Sequence, residues 1–319
     1  MVTGKRFALF LAAALMGFSF MPAAARAATA TEKITFAYAA ISPTMAGVWM
    51  AQEMGAFEKQ GLNVEMVYIS SGAVAIQALV GGSVHAALGA SNAVVAAILK
   101  GAPIVAVGSN TSQPGMVLWV QPEISQPEQL QGKTLAITRY GSTSDFVTRL
   151  ILKKLALEGK TEIRQFGGVV EADVGFRARQ AEGRVASQPP SPQAKKLVDA
   201  AELGIPFSMN LLAVSSDFYR KAPKTVERIL KAYIEGIAGL RTRKQQALDM
   251  LAKYMGKRGG LPEMHYEFVM KYLDAVPKVE PAAVDTILEM VGHSGPVQAK
   301  LFDNSIIERL AKEGFIDRL

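Results

Sequence analysis

Residues 33–72 read KITFAYAAISPTMAGVWMAQEMGAFEKQGLNVEMVYISSG, and this run decides the fold. Lys33–Ala40 alternates Ile34, Phe36 and Tyr38 with smaller or polar residues, the period-two pattern of a half-buried strand. Pro43 and Thr44 then open a helix expected over Met45–Glu58, with Val48, Trp49, Met50 and Met54 at its apolar positions, and Gly61 closes the unit. Asn63–Tyr68 alternates again, and Ser70-Ser71-Gly72 leads into a helix over Ala73–Val80. Strand, hydroxyl-rich turn, helix, strand is the unit from which layered α/β sheets are built.

The same grammar continues downstream. His85–Leu88 reads as a short buried strand, Ser91-Asn92 caps a helix over Ala93–Leu99, and Pro103–Val107 is another strand. Met116–Gln121, followed by Pro122 and a polar stretch, reads as a crossing into a second lobe. There the alternation restarts with Thr134–Thr138, a helix over Ser144–Leu157, Glu162–Phe166 and a helix over Ala172–Glu182. Gln188-Pro189-Pro190-Ser191-Pro192 is a loop, and Asn210–Val214 is the strand that returns. Beyond Pro223 the chain reads as helical over Lys224–Met255, Pro262–Leu273, Pro281–Val291 and Asn304–Leu310. The expected organisation is therefore a discontinuous lobe 1 (28–118 and 211–319) and a lobe 2 (119–210). The basic run Arg241-Thr242-Arg243-Lys244 reads as a solvated helix face.

Upstream, Lys5-Arg6, the apolar run Phe7–Phe20, Pro22 and Ala25-Arg26-Ala27 have the order of a secretory signal peptide over residues 1–27. The run is short for a membrane span, which takes about 20 apolar residues. The expected location is the periplasm. The formal charge of the chain is +7, and Lys5, Arg6 and Arg26 contribute three of those positive charges with no acid among the first 27 residues. The remainder is modestly positive, a balance that favours an anionic small ligand and gives no reason to expect nucleic acid.

The chain has no cysteine, so disulfides, thiolate metal sites and cysteine nucleophiles are ruled out. It has three histidines, His85, His265 and His293, far apart in sequence, and carries no nucleophile elbow, zinc-protease helix, phosphate loop or dinucleotide fingerprint. The expectation is no catalytic residue, no metal and no cofactor. What recurs instead is a small hydroxyl or glycine cluster between a strand and a helix: Ser42-Pro43-Thr44, Ser70-Ser71-Gly72, Ala90-Ser91-Asn92 and Gly141-Ser142-Thr143-Ser144. Each presents unpaired backbone N–H groups at a helix N-terminus, where partial positive charge favours an anion. Each also has an ordinary explanation as an N-cap. Because strand carboxyl ends converge on one crevice in open α/β sheets, four such clusters have a common place to point. The candidate ligand-binding residues are Ser42, Thr44, Ser70, Ser71, Gly72, Ser91, Asn92, Ser142, Thr143 and, at the head of the returning strand, Asn210.

Three stretches resemble the periplasmic solute-binding proteins of ABC importers, in the nitrate/sulfonate/taurine and thiamine-precursor-binding branch. They are AGVWMAQEMGAFEKQGLNVE (46–65), AIQALVGG (75–82) and GAPIVAV (101–107). Leu130-x-Gly-Lys-Thr-Leu-Ala-Ile137 entering Gly141-Ser142, and AELGIP (201–206), are similar to the second lobe of that family. The resemblance implies an α/β, two-lobed type II binding-protein fold, each lobe a layered sheet, with a helical C-terminal segment. It implies a monomer that closes on a small sulfonate, nitrate, carboxylate or pyrimidine-like solute and docks on permease and ATPase subunits. Two departures stand out. His85 occupies a place where relatives commonly carry an acid, and Gly183-Arg184-Val185-Ala186-Ser187, before a shortened proline-rich loop, replaces a usual Gly-x-Val-Asp-Ala. An enzyme of the thiamine-pyrimidine synthase kind shares this fold, but its cysteine-rich motif has no counterpart here. A ligand sensor without transport is the remaining alternative.

The export expectation is checked by mass spectrometry of protein recovered from the periplasm. The mature N-terminus should lie at or near Ala28, and an intact Met1 on membrane-bound material would point to an anchor instead.

Overall fold

The computed structural model describes residues 31–256, 261–294 and 300–319. The proposed signal segment, 1–27, lies outside the described residues. The chain runs β1 (Glu32–Tyr38), α1 (Ala46–Glu53), α2 (Ala56–Lys59), β2 (Leu62–Tyr68), α3 (Gly72–Val80), β3 (Ala86–Ala90), α4 (Ser91–Leu99), β4 (Ile104–Ser109). It continues with β5 (Val117–Val120), β6 (Thr134–Ile137), α5 (Thr143–Lys154), β7 (Glu162–Gln165), α6 (Val169–Arg177), β8 (Gly183–Ala186), β9 (Lys195–Asp199), β10 (Asn210–Ser215). Six more helices follow, α7 (Ser216–Lys221), α8 (Pro223–Thr242), α9 (Lys244–Met255), α10 (Leu261–Tyr272), α11 (Pro281–Met290) and α12 (Ser305–Lys312).

The strands form two five-stranded sheets, ordered β2-β1-β3-β10-β4 and β7-β6-β8-β5-β9. In the first, β1 runs parallel to β2 and β3, and β10 is antiparallel to β3 and β4. In the second, β6 runs parallel to β7 and β8, and β5 is antiparallel to β8 and β9. The two sheets therefore repeat one pattern, and the antiparallel strand of each is the one that has just crossed from the other. After β4 the chain enters the second sheet as β5; after β9 it enters the first as β10. In the first sheet β3 and β4 read as continuous apolar or small runs, and every residue of both is buried.

Several sequence expectations shift. The helix expected over 45–58 is interrupted at Gly55, whose φ of 69° is left-handed backbone that glycine adopts without a Cβ clash. The helix expected over 224–255 divides into α8 and α9 at Arg243, whose φ of −129° and ψ of 60° are not helical. The strand expected at 85–88 lies at 86–90, and α6 is displaced toward the N-terminus of its expected span. The strands β8 and β9 and the short helix α7 were not expected. His85 is structural. Its Nδ1 accepts the Thr35 N–H at 3.0 Å, while its own N–H donates to Thr35 O at 2.9 Å, which zips the entry of β3 to β1.

The two crossings, 109–117 and 199–210, are tied together by buried amides. Asn210 N donates to Asn110 Oδ1 at 3.0 Å, Asn110 Nδ2 donates to Asn210 Oδ1 at 3.0 Å and to Thr44 O at 3.0 Å, and Asn110 N donates to Asn210 O at 3.3 Å. Met209 N donates to Thr111 Oγ1 at 2.9 Å beside them. Asn110 is fully buried. Replacing it with alanine strands the Asn210 N–H, the Asn210 side-chain carbonyl and Thr44 O away from water, and each such group costs about 1–3 kcal/mol. Asn110→Ala should therefore lower unfolding stability by at least about 3 kcal/mol in urea titration. A loss under 1 kcal/mol would show that the crossings are held by something else.

Candidate functional site

In each sheet the parallel strands point their carboxyl ends at the same gap, and a cleft of about 850 Å³ opens there. Its walls are the turns that end those strands: Ala39–Thr44 after β1, Ser71 and Gly72 after β2, Thr138 and Ser142–Ser144 after β6, Val169 and Val170 after β7, and Ala186–Pro192 after β8. Asn210 and Met209 from the returning crossing, Met116 from the outgoing one, and Met255, Leu261, Met264 and His265 from α9 and α10 complete it. Among the described residues no group of His, Asp or Glu converges as a metal-holding set. No helix of the described residues is long and apolar enough to cross a membrane.

Seven of the ten sequence candidates line this cleft: Ser42, Thr44, Ser71, Gly72, Ser142, Thr143 and Asn210. Ser70, Ser91 and Asn92 do not. Ser70 Oγ instead donates to Gly167 O at 3.0 Å, and Asn92 Nδ2 donates to Gly141 O at 2.9 Å, so both bridge the two sheets. Ser91 is fully buried behind the cleft at the head of α4. Gly72 is required for packing: a Cβ there would lie 2.5 Å from Ala90 N, so only glycine lets α3 start against the end of β3.

Most of the lining hydroxyls are already engaged. Ser142 Oγ accepts from Asp145 N at 3.3 Å as the N-cap of α5, and it also accepts the Thr138 hydroxyl at 2.9 Å. Ser144 Oγ accepts the Thr138 N–H, and Thr143 Oγ1 donates to Met209 O. Ser42 and Thr44 pair with each other at 3.3 Å. Ser71 differs. It stands at the N-cap of α3, yet its side chain caps nothing, and its buried Oγ has no partner among the described residues. Its φ of 92° is left-handed, a strained choice for a residue with a Cβ.

Among the described residues, three further buried polar atoms at the cleft have no partner: Arg184 Nη1, Ser187 Oγ and His265 Nδ1. Arg184 is 2% exposed; its Nε binds Asp173 and its Nη2 donates to Val169 O at 3.2 Å. Burial pushes the Asp173 carboxyl above the usual range, against the opposing pull of Arg184. Arg177 donates to Pro190 O at 2.8 Å and so secures the proline-rich loop. Burial pushes the His265 pKa down to about 4, which leaves its imidazole neutral at pH 7. Among the described residues, two arginines and one aspartate are then the charged groups of the lining. The sequence reading assigned no place in the cleft to Arg184, Asp173, His265 or the methionines. The available signal was a charged residue inside the apolar run Gly183–Ala186, which marks a buried charge with a buried partner.

Ser71→Ala should leave thermal stability unchanged, and Ser71→Gly should raise it by about 1 kcal/mol by relieving the backbone. Ser142→Ala, which removes a working cap, should cost about 1 kcal/mol in the same melting experiment. A matching loss in Ser71→Ala would show that the Ser71 hydroxyl caps α3 after all.

No curated protein sequence matches the chain. Among solved structures, a protein from Bordetella bronchiseptica RB50 is similar at a TM-score of 0.75 and 20% identity, covering 88% of this chain and 97% of the other. The alkanesulfonate-binding protein SsuA from Xanthomonas axonopodis pv. citri, bound to MOPS, is similar at 0.64 and 15%, covering 90% and 93%. A cysteine-to-serine variant of the desulfurization enzyme DSZB, in complex with biphenyl-2-sulfinic acid, is similar at 0.61 and 13%, covering 89% and 99%. These likenesses establish the fold, that of the periplasmic binding proteins. Residues 42–247, from the turn after β1 to the first turn of α9, match the NMT1/THI5-like family model, and the chain belongs to that family.

Proposed function

We propose that the protein is an exported, monomeric solute-binding protein that captures a small organic or inorganic anion and hands it to the permease and ATPase of an ABC importer. The observation that carries this reading is the cleft itself. It lies where strand ends of both sheets converge, it is walled by the N-termini of α3 and α5, and it holds buried polar atoms without partners. Buried donors are rarely left unpaired, and a bound solute is the simplest partner for them. The similarity to an alkanesulfonate-binding protein supports the reading.

The mechanism is cleft closure. The first sheet with its helices acts as one lobe and the second sheet with its helices as the other, hinged at the two crossings. Solute bound to both lobes favours the closed state only by its differential affinity for that state. Ser70–Gly167 and Asn92–Gly141 are contacts between the lobes that opening would have to break. Small-angle scattering tests this directly. The radius of gyration should fall when a solute of proven affinity is added, and an unchanged value at saturation would reject closure.

An enzyme reading draws on the similarity to a desulfurization enzyme. This chain has no cysteine, so any turnover would need another nucleophile. A new product resonance on incubating protein with a bound solute would establish it.

A further inference from the structure

We infer that the solute is an aromatic acid, with its acid group at the paired N-termini of α3 and α5 and its ring against a wall of methionines. The inference rests on the solute-binding reading and sharpens it.

The acid end is defined by two helices of nine and twelve residues whose first turns meet. A Cβ built on Gly141, just before α5, would lie 3.7 Å from the Ala73 side chain in the first turn of α3. The leading N–H groups of a helix have no intrahelical partner, and two N-termini brought together concentrate positive potential where no acid of α3 offsets it. Asp145 in the first turn of α5 is itself committed to Gly141 N and Arg149. Ser71, 5% exposed and with its hydroxyl unpartnered, stands at the same place and supplies a neutral donor. An oxyanion satisfies these groups, and a cation does not.

The rest of the lining is largely apolar. Met116, Met209, Met255 and Met264 reach the cleft from four separate segments, with Leu261, Val169, Val170 and the prolines of the loop beside them. The cleft volume, about 850 Å³, is that of a site for a molecule with a substantial body; an inorganic anion would leave it mostly unfilled. Methionine is polarizable and adaptable, and sulfur–ring contacts favour aromatic over plain aliphatic bodies. Tyr68 adds a ring at the rim, stacked obliquely on Tyr38 at 5.5 Å.

Calorimetric titration of the full protein with a matched panel tests this: benzoate, benzenesulfonate, acetate, methanesulfonate, nitrate, benzyl alcohol and pyrimidine. At least one of the two aryl acids should bind about a hundredfold or more tightly than its methyl counterpart or nitrate, because only it buries a ring. Which of the two it is distinguishes a planar carboxylate from a tetrahedral sulfonate. Benzyl alcohol should bind at least tenfold more weakly than the better acid. Met264→Ala should weaken that acid about five- to twentyfold, and Ser71→Ala about tenfold, with melting temperatures held. Equal binding of nitrate or methanesulfonate, equal binding of benzyl alcohol, or silence of both aryl acids would overturn the inference. Pyrimidine or nitrate closing the cleft while aryl acids do not would overturn it and leave the solute-binding reading standing. An aryl acid that binds and is chemically converted would do the reverse.

Discussion

The reciprocal amide pair between Asn110 and Asn210 is the constraint on which the rest depends. A chain that builds two sheets and exchanges one strand between them must pass twice through the space separating them. Those passages cannot join either ladder, so their peptide groups need other partners or they stay stranded. Two asparagines solve this with side chains that imitate a backbone, each bonding the opposite crossing. Apolar packing at this point would be indifferent to a slip along either strand. Amide bonds are directional, and they fix which residue of one crossing faces which residue of the other. Everything at the cleft inherits that register. Thr44 O accepts from Asn110, and Met209 N donates to Thr111, so the turn after β1 and the apolar wall are placed by the same knot.

From that placement follows a division of labour among hydroxyls. The turn after β6 spends Thr138, Ser142 and Ser144 on one another and on the first turn of α5. The hydroxyls of Ser70 and Thr143, with the Asn92 amide, are spent on holding the two halves together. What remains for a solute is mainly backbone N–H, the Ser71 hydroxyl and the edge of a buried arginine. Backbone donors are rigid and lose little freedom on binding, which makes a preorganised site. Ser71 is the place where the fold accepts strain, and a left-handed non-glycine residue with an idle hydroxyl is hard to explain by folding alone.

The order of strands and helices was legible because each unit repeats one local grammar: alternation, hydroxyl-rich turn, apolar helix. The turns were legible as site candidates because strand carboxyl ends must converge. Which hydroxyls are engaged was not, since Ser70 meets Gly167 and Asn92 meets Gly141 across 97 and 49 residues of sequence. β8 and β9 escaped because strands of four and five residues carry too little period, and Lys195–Asp199 is half polar. Arg184 escaped for a related reason. A lone arginine usually marks surface, and only Asp173, from a helix eleven residues earlier, reveals that it is buried and paired.

The contacts between the two halves also bear on how a closing cleft could remain poised. Each neutral hydrogen bond such as Ser70–Gly167 contributes about 0.5–1.5 kcal/mol net, and the exposed Lys153–Glu289 pair at 3.0 Å contributes under about 1. A handful of such contacts amounts to a few kcal/mol, the same order as the cost of bringing the walls together with unpaired donors between them. Ser71 Oγ, Ser187 Oγ and Arg184 Nη1 are buried at the cleft with no partner among the described residues, and each such group carries a desolvation penalty of about 1–3 kcal/mol. Solute removes that penalty without touching the contacts that span the rim. The unsatisfied atoms at the cleft and the contacts that span it are thus of the same energetic order, so the groups available to a solute weigh directly against the contacts that join the two halves.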